Sequence, residues 1–280
     1  MKNNKADMKN KKIKTALVLG AGGGKGFAHI GVLKALEEVG LKFDIIVGSS
    51  MGAIVGACYA LGVSVSEIEK RALELSTLEI YDIKLPNAYG FIKGDKAEKV
   101  IRKLTEAEKT EPTFNDTKIP FACVASDIAK GELVELTEGA IIPAVRASFS
   151  VCGVFRPVEI DGRKLLDGGI FCRVPVDLAR KMGADVVIAI DCLGKTMPEN
   201  LDNYKYADTL ARVFNLMDYQ ISKPEMERAD YLVSLYQPTV SSIRVKNVAD
   251  GIEVGYKTTK DAIPEIVKTI NKRKKEILGE

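Results

Sequence analysis

The chain of 280 residues is long enough to bury a large core, as one α/β domain or as two smaller ones. Its apolar share of 46% and charged share of 28% are ordinary for a globular protein in water. The net charge of +3 comes from the N-terminal end, where residues 1–14 hold six Lys against one Asp and leave the remainder at −2; no basic stretch is interleaved with aromatics, which argues against a nucleic-acid surface.

In chain order, residues 1–14 read as a disordered basic tail, with a weak attraction to anionic membrane surfaces as the functional alternative to a solvated end. No apolar h-region follows it, so no secretory signal is expected. KTALVLG at 14–20 is a short buried strand ending at Gly, and a helix over 25–39 follows, with Ile30, Leu33, Leu36 and Val39 near helical spacing. A second buried strand, FDIIVGSS at 43–50, leads into a helix of small residues at 51–62. The uncharged stretch 51–66 is too short and too rich in Gly and Ser to span a bilayer. Helices are expected at 65–75, capped by Ser64 or Ser66, and at 95–104, with a linker-like segment over 76–94 between them. Strands at 119–127 and 132–137, a helix at 139–148, and a hairpin over 157–169 turning on Asp161-Gly162 come next. A helix at 175–182, a buried strand at 184–191, a linker-like stretch at 192–202, a long helix near 203–222, a strand at 229–236 and a helix at 249–271 complete the order. Lys272 to Lys275 then mark a basic C-terminal tail over 272–280.

The central strands are apolar throughout and alternate with helices. This predicts an α/β fold of three layers, α/β/α, around a mostly parallel central sheet. Neither linker-like segment has the composition of a boundary, so residues 15–271 are expected to form a single domain. The five cysteines (Cys58, Cys123, Cys152, Cys172, Cys192) are odd in number and form no CxxC pair, which fits reduced thiols and a cytoplasmic chain rather than disulfides or a zinc site.

GAGGGKG at 20–26 carries five glycines in seven positions. Strand, glycine turn and helix together place backbone N–H groups around an anion. A nucleotide P-loop fails here, because Gly26 follows Lys25 where Ser or Thr is needed, and the G-x-G-x-x-G dinucleotide fingerprint fails at Lys25. The looser G-x3-G-x-G of Gly20, Gly24 and Gly26 fits an NADP-binding, short-chain-dehydrogenase-like alternative, whose Tyr-x3-Lys partner occurs only at Tyr256 to Lys260, far along the chain.

The second strand ends in Gly48-Ser49-Ser50-Met51-Gly52, a G-x-S-x-G elbow between strand and helix that pushes Ser50 Oγ out of the sheet. The alternative is a small-residue turn that lets the next helix pack closely. A serine nucleophile needs a base. The chain has one histidine, His29, in the first helix, a position more typical of a packed residue than of a catalyst. Asp167, in LLDGG at the end of an apolar strand with Gly168 and Gly169, is the better candidate, against the plainer reading of a turn Asp.

The glycine loop with KGFAHIGVLKALEE, then GSSMG, RASFS and LDGG in that order, resembles the patatin-like phospholipase family, over about Thr15 to Asp191. The resemblance implies an acyl hydrolase with a Ser–Asp dyad, no catalytic histidine, no metal and no cofactor. Ser50 would be the nucleophile and Asp167 the base, with Gly22, Gly23, Gly24 and Lys25 as the oxyanion hole. The implied substrate is a lipid or other ester, and Asp167 would activate the deacylating water. Apart from the resemblance, the apolar residues of 76–94, with LPNAYGFIKG and no clear periodicity, suggest a cover over an acyl groove. Three departures stand out: Ala21 where many members have Gly, Lys25 where Arg is common, and Cys152 where Pro is usual. A non-catalytic regulatory module of the same fold is a further alternative. Ester identity, regiospecificity and oligomeric state are not legible from the residues.

Overall fold

The structure, a computed structural model, describes residues 12–80, 83–87, 90–194, 202, 204–237, 240 and 247–279. Its first half runs β1 (Thr15–Leu19), a 3-10 turn (Gly23–Phe27), α1 (Ala28–Glu38), β2 (Ile45–Ser49), α2 (Met51–Leu61), α3 (Val65–Glu74), α4 (Thr77–Ile80), β3 (Ile83–Asn87), β4 (Gly90–Ile92) and α5 (Asp95–Leu104). The second half runs β5 (Phe121–Asp127), β6 (Glu132–Leu136), α6 (Ile141–Ser148), β7 (Gly153–Phe155), β8 (Val158–Ile160), β9 (Arg163–Asp167), α7 (Val176–Lys181), β10 (Val186–Asp191), α8 (Tyr206–Met226), β11 (Tyr231–Ser234) and α9 (Val248–Leu278).

The main sheet has the order β11-β10-β1-β2-β5-β9-β8, with β6 paired to β5. The run from β11 to β5 is parallel, and β6, β8 and β9 are antiparallel. Every residue of β1, β2, β5 and β10 is buried, as a sheet covered on both faces requires. Alternate side chains feed two cores. Leu17 and Leu19 of β1 join the core of α1, α2 and α5, whereas Ala16 and Val18 join the core of α7 with Met226 of α8. The expected three layers are therefore present.

Several boundaries differ from the sequence reading. The first helix does not start at Lys25: Lys25 N–H reaches back only to Gly22 O, which winds a 3-10 turn, and regular helix begins at Ala28. The long helix starts three residues later and ends four residues later than expected, at Tyr206–Met226. The last helix continues to Leu278, so Lys272 to Lys275 are helical rather than a tail. Segment 76–94 is not structureless among its described residues, since α4, β3 and β4 lie in it and β4 pairs parallel to β7 through Gly90–Gly153 and Ile92–Phe155. Residues 1–11 of the expected tail, and 81–82 and 88–89 of the expected cover, lie outside the described residues. The Asp161-Gly162 hairpin forms as expected, both residues at positive φ between β8 and β9. Ser64 caps α3 by accepting from Glu67 N–H. No helix among the described residues is long and apolar enough to cross a membrane.

Candidate active site

β5 brings Ser50 and Asp167 together. Cys123 and Val124 pair with both β2 and β6, and Ala125 to Asp127 pair with both β6 and β9. A residue has only two edges, so β2 and β9 share the edge of β5 opposite β6. They meet end to end: Ser49 is opposite Val124, and Asp167 is opposite the next residue, Ala125. The chain then turns sharply at Ser50, which adopts φ 53 and ψ −121 before α2 begins. A non-glycine residue there costs of the order of 1–2 kcal/mol and is held only by its surroundings. Ser50 Oγ donates to Asp167 Oδ2 at 2.6 Å, and Gly169 N–H donates to the other carboxylate oxygen at 2.8 Å.

The site is nearly dry, with Ser50 2% and Asp167 7% exposed. Among the described residues no Lys or Arg pairs with Asp167. Burial therefore pushes its carboxyl up from the ordinary 3.8 to about 7; the bonds from Ser50 and Gly169 pull against this, and Asp218 adds to the rise. A carboxylate with that affinity for protons can accept one from a neighbouring hydroxyl near neutral pH.

RASFS, quoted above only as a pattern, is the clamp on this pair. Ser148 Oγ accepts from Ser50 N–H at 2.9 Å, and Ser150 O accepts from Asp167 N–H at 2.8 Å. Arg146 of the same motif is 3% exposed. It donates to Gly94 O, Lys93 O and Ser150 Oγ and stacks over Phe155, 4.7 Å from the ring centre. One motif so fixes both members of the pair and ties the turn before α5 to them. Its role was not readable in the sequence, because serine hydroxyls and buried arginines carry no spacing signature.

The glycines divide into two kinds. Several exist so that the backbone can pack on itself. A Cβ on Gly52 would strike Leu19 O, one on Gly48 would sit 2.5 Å from Ala53 Cα, and one on Gly168 would sit 2.5 Å from Val124 O. A Cβ on Gly26 would lie 2.5 Å from Met51 Cβ, so the loop rests directly against the residue after Ser50. A Cβ on Gly169 would press to 3.0 Å from Asp167 Oδ1. The others leave donors available. Among the described residues none accepts from the N–H groups of Gly22, Gly23 or Gly24, nor from Met51 N–H at the start of α2. Lys25 N–H is engaged with Gly22 O. Gln237 Nε2 bonds Lys25 O at 3.1 Å and Cys192 O at 3.0 Å, pinning the loop to the end of β10.

His29 is fully buried and bonds Gly20 O through Nε2 at 2.7 Å, with Cys192 Sγ 3.3 Å from the same nitrogen. Burial lowers its pKa to about 4, so it stays neutral and braces α1 against the end of β1. Tyr256 Oη and Lys260 Nζ do meet, at 2.9 Å, but on the exposed side of α9 beside Glu38, at the far end of α1 from the glycine loop. The dehydrogenase-like alternative therefore has its two halves apart. Another buried centre went unread: Arg173, fully buried after LDGG, donates to Asp191 at 2.6 Å, to Gly194 O at 2.9 Å and to Asp218 at 3.4 Å. Four cysteines are buried and Cys152 is exposed, all as free thiols.

The family model for patatin-like phospholipases matches residues 17–180. The chain is 37% identical over 204 residues to patatin-like phospholipase domain-containing protein 6 of Homo sapiens, a match of 70% of this chain and 14% of that one. It is 37% identical over 183 residues to an uncharacterised NTE family protein of Mycobacterium tuberculosis, 65% of this chain and 49% of the other. The chain thus spans half or less of these relatives' lengths. Among solved structures, human GIVD cytosolic phospholipase A2 superposes with a TM-score of 0.52 over 98% of this chain and 62% of that one at 10% identity. VipD of Legionella pneumophila does so with a TM-score of 0.50 over 91% and 67% at 15% identity. Sheet order, elbow and family match converge on one assignment: the chain belongs to the patatin-like phospholipase family.

Proposed function

We propose that this protein is a lipid acyl hydrolase that cleaves carboxylic esters through a Ser50 acyl-enzyme. The observation that carries the reading is the 2.6 Å bond from Ser50 Oγ to Asp167 Oδ2 inside a buried site where, among the described residues, no cation stands against the carboxylate. Asp167, with its carboxyl near 7, takes the Ser50 proton as Oγ attacks the ester carbonyl. The carbonyl oxygen becomes an oxyanion. Gly23 and Gly24 N–H, and Met51 N–H at the positive end of α2, are the donors best supported to receive it, with Gly22 adjoining. Lys25 N–H contributes only if it leaves Gly22 O. One such donor is typically worth about 3–4 kcal/mol in the transition state. The proton on Asp167 then passes to the leaving alcohol. Water attacks the acyl-enzyme, Asp167 takes the water proton, and the acid departs as Ser50 regains its hydrogen. No step calls on His29.

The test is hydrolysis of p-nitrophenyl butyrate by the wild type, Ser50→Ala and Asp167→Asn, with labelling by a fluorophosphonate. Turnover and labelling in the wild type, both lost in Ser50→Ala, support the reading. An inert, unlabelled wild type or an active Ser50→Ala overturns it.

A further inference from the structure

We propose that the outer face of α8 is a membrane-docking surface that seats the catalytic end of the molecule on a neutral lipid interface; this rests on the lipid-hydrolase reading above. The C-terminal half of α8 is packed into the protein. Asp218 and Ser222 bond to the Arg173 side chain and backbone, Glu225 bonds Cys172 Sγ and Asp177 N–H, and Tyr219 and Met226 join the core. The helix runs antiparallel to β10 and β11, because Ser222 is level with the carboxyl end of β10 and Asp230, after the helix, bonds Val187. Its first twelve residues, 206–217, therefore continue about 18 Å along the helix axis from the point where Asp218 meets Arg173, toward the carboxyl ends of the strands, the end at which Ser50 and Asp167 sit.

That projecting part is apolar outward. Of thirteen large hydrophobic side chains exposed among the described residues, seven belong to α8. Tyr206, Leu210, Val213, Phe214, Met217 and Ile221 follow the spacing of one helix face, with Phe214 58% and Met217 54% exposed. Between 209 and 221 every exposed described residue is uncharged, Thr209 and Gln220 being the polar ones. Tyr206, 80% exposed, and Tyr236, 71% exposed just past the carboxyl end of β11, stand at the same end of the molecule, where aromatic side chains suit a headgroup boundary. Among the described residues on and beside α8, the exposed charges stand outside this stretch, Lys205 just before it and Lys223 and Glu227 after it. Lys12 pairs with Asp44 before β2, and Arg273 pairs with Asp230 before β11, so these two basic residues are at the opposite, amino end of the sheet. A face with no charge to complement selects an uncharged or zwitterionic surface entered by apolar burial, not an anionic one held by Coulomb attraction.

The experiment is co-sedimentation of the full-length protein with phosphatidylcholine vesicles, for the wild type, the double variant Phe214→Glu/Met217→Glu, and a milder Leu210→Gln/Val213→Gln in case the first fails to fold. Expected are wild-type binding that persists in 0.5 M NaCl, at least a tenfold loss in either variant, and unchanged hydrolysis of soluble p-nitrophenyl butyrate by both. Three results would overturn the proposal: a wild type that does not bind, binding that requires anionic lipid and vanishes in salt, or a wild-type dimer that the variants dissociate, which would assign the face to a second copy. Ser50→Ala is run beside them. Its vesicle binding reports on the face alone and its esterase activity on the nucleophile alone, so the two readings fail separately.

Discussion

Two buried aspartates end neighbouring regions of the same sheet, and they are treated in opposite ways. Asp191, at the end of β10, is 1% exposed and faces Arg173 at 2.6 Å, whose guanidinium also reaches Asp218. Asp167, at the end of β9, is 7% exposed and among the described residues is offered a hydroxyl and one backbone N–H. A buried carboxylate with a cation is a structural anchor, and removing either partner strands a charge. A buried carboxylate without one is held at the edge of ionisation and is available for proton transfer. What separates the two carboxylates is thus the presence of one guanidinium, not the depth of burial.

The largest expected effect is on catalysis at the cationless centre. Ser50→Ala and Asp167→Asn should each lower kcat by about 10⁴-fold or more, read as initial rates of ester hydrolysis, while both stay folded. Next comes the paired centre. Arg173→Leu leaves Asp191 and Asp218 unpaired in the interior and should cost about 3–5 kcal/mol of stability in urea unfolding. Unchanged stability there would dissolve the contrast drawn above. The clamp is third. Ser148→Ala leaves Ser50 N–H without its acceptor, a loss of about 1–3 kcal/mol that should appear in kcat more than in Tm if it releases the strained turn.

The remaining effects are in pH. With the Asp167 carboxyl near 7, kcat/KM should rise about tenfold per unit below that pH and level off above it. Stability should run the other way for this group. Its folded pKa is raised above the ordinary 3.8, so the folded chain holds the proton more tightly, and folding is opposed increasingly from pH about 4 to about 7. The Tm difference between Asp167→Asn and the wild type should accordingly grow in the variant's favour over that window. A constant difference would mean the carboxyl titrates at its ordinary position.

Much of this was legible in the residues, and the limits have physical causes. Buried parallel strands announce themselves by continuous apolar runs, and the elbow and LDGG stand where a strand meets a bend, so β1, β2, β9 and β10 and the candidates Ser50 and Asp167 could be read without neighbours. Interactions across the fold could not. The roles of Ser148, Ser150 and Arg173 depend on what the topology places beside them. Glycine 26 looked like part of an anion cradle, and its closest neighbour is Met51. The basic ends suggested membrane contact, yet the structure sets Lys12 and Arg273 at the amino end of the sheet, away from Ser50. The start of α1 was misread because a glycine-rich first turn winds as 3-10.

The end-to-end meeting of β2 and β9 along β5 also has a consequence in time. Ser50 and Asp167 are 117 residues apart, and their alignment is set only when both strands have docked in register on the same edge of β5. Contacts of such sequence separation carry a loop-closure cost that nearby contacts do not. During refolding, helical signal should recover before esterase activity, and the interval between them should measure how long β5 waits for its second partner.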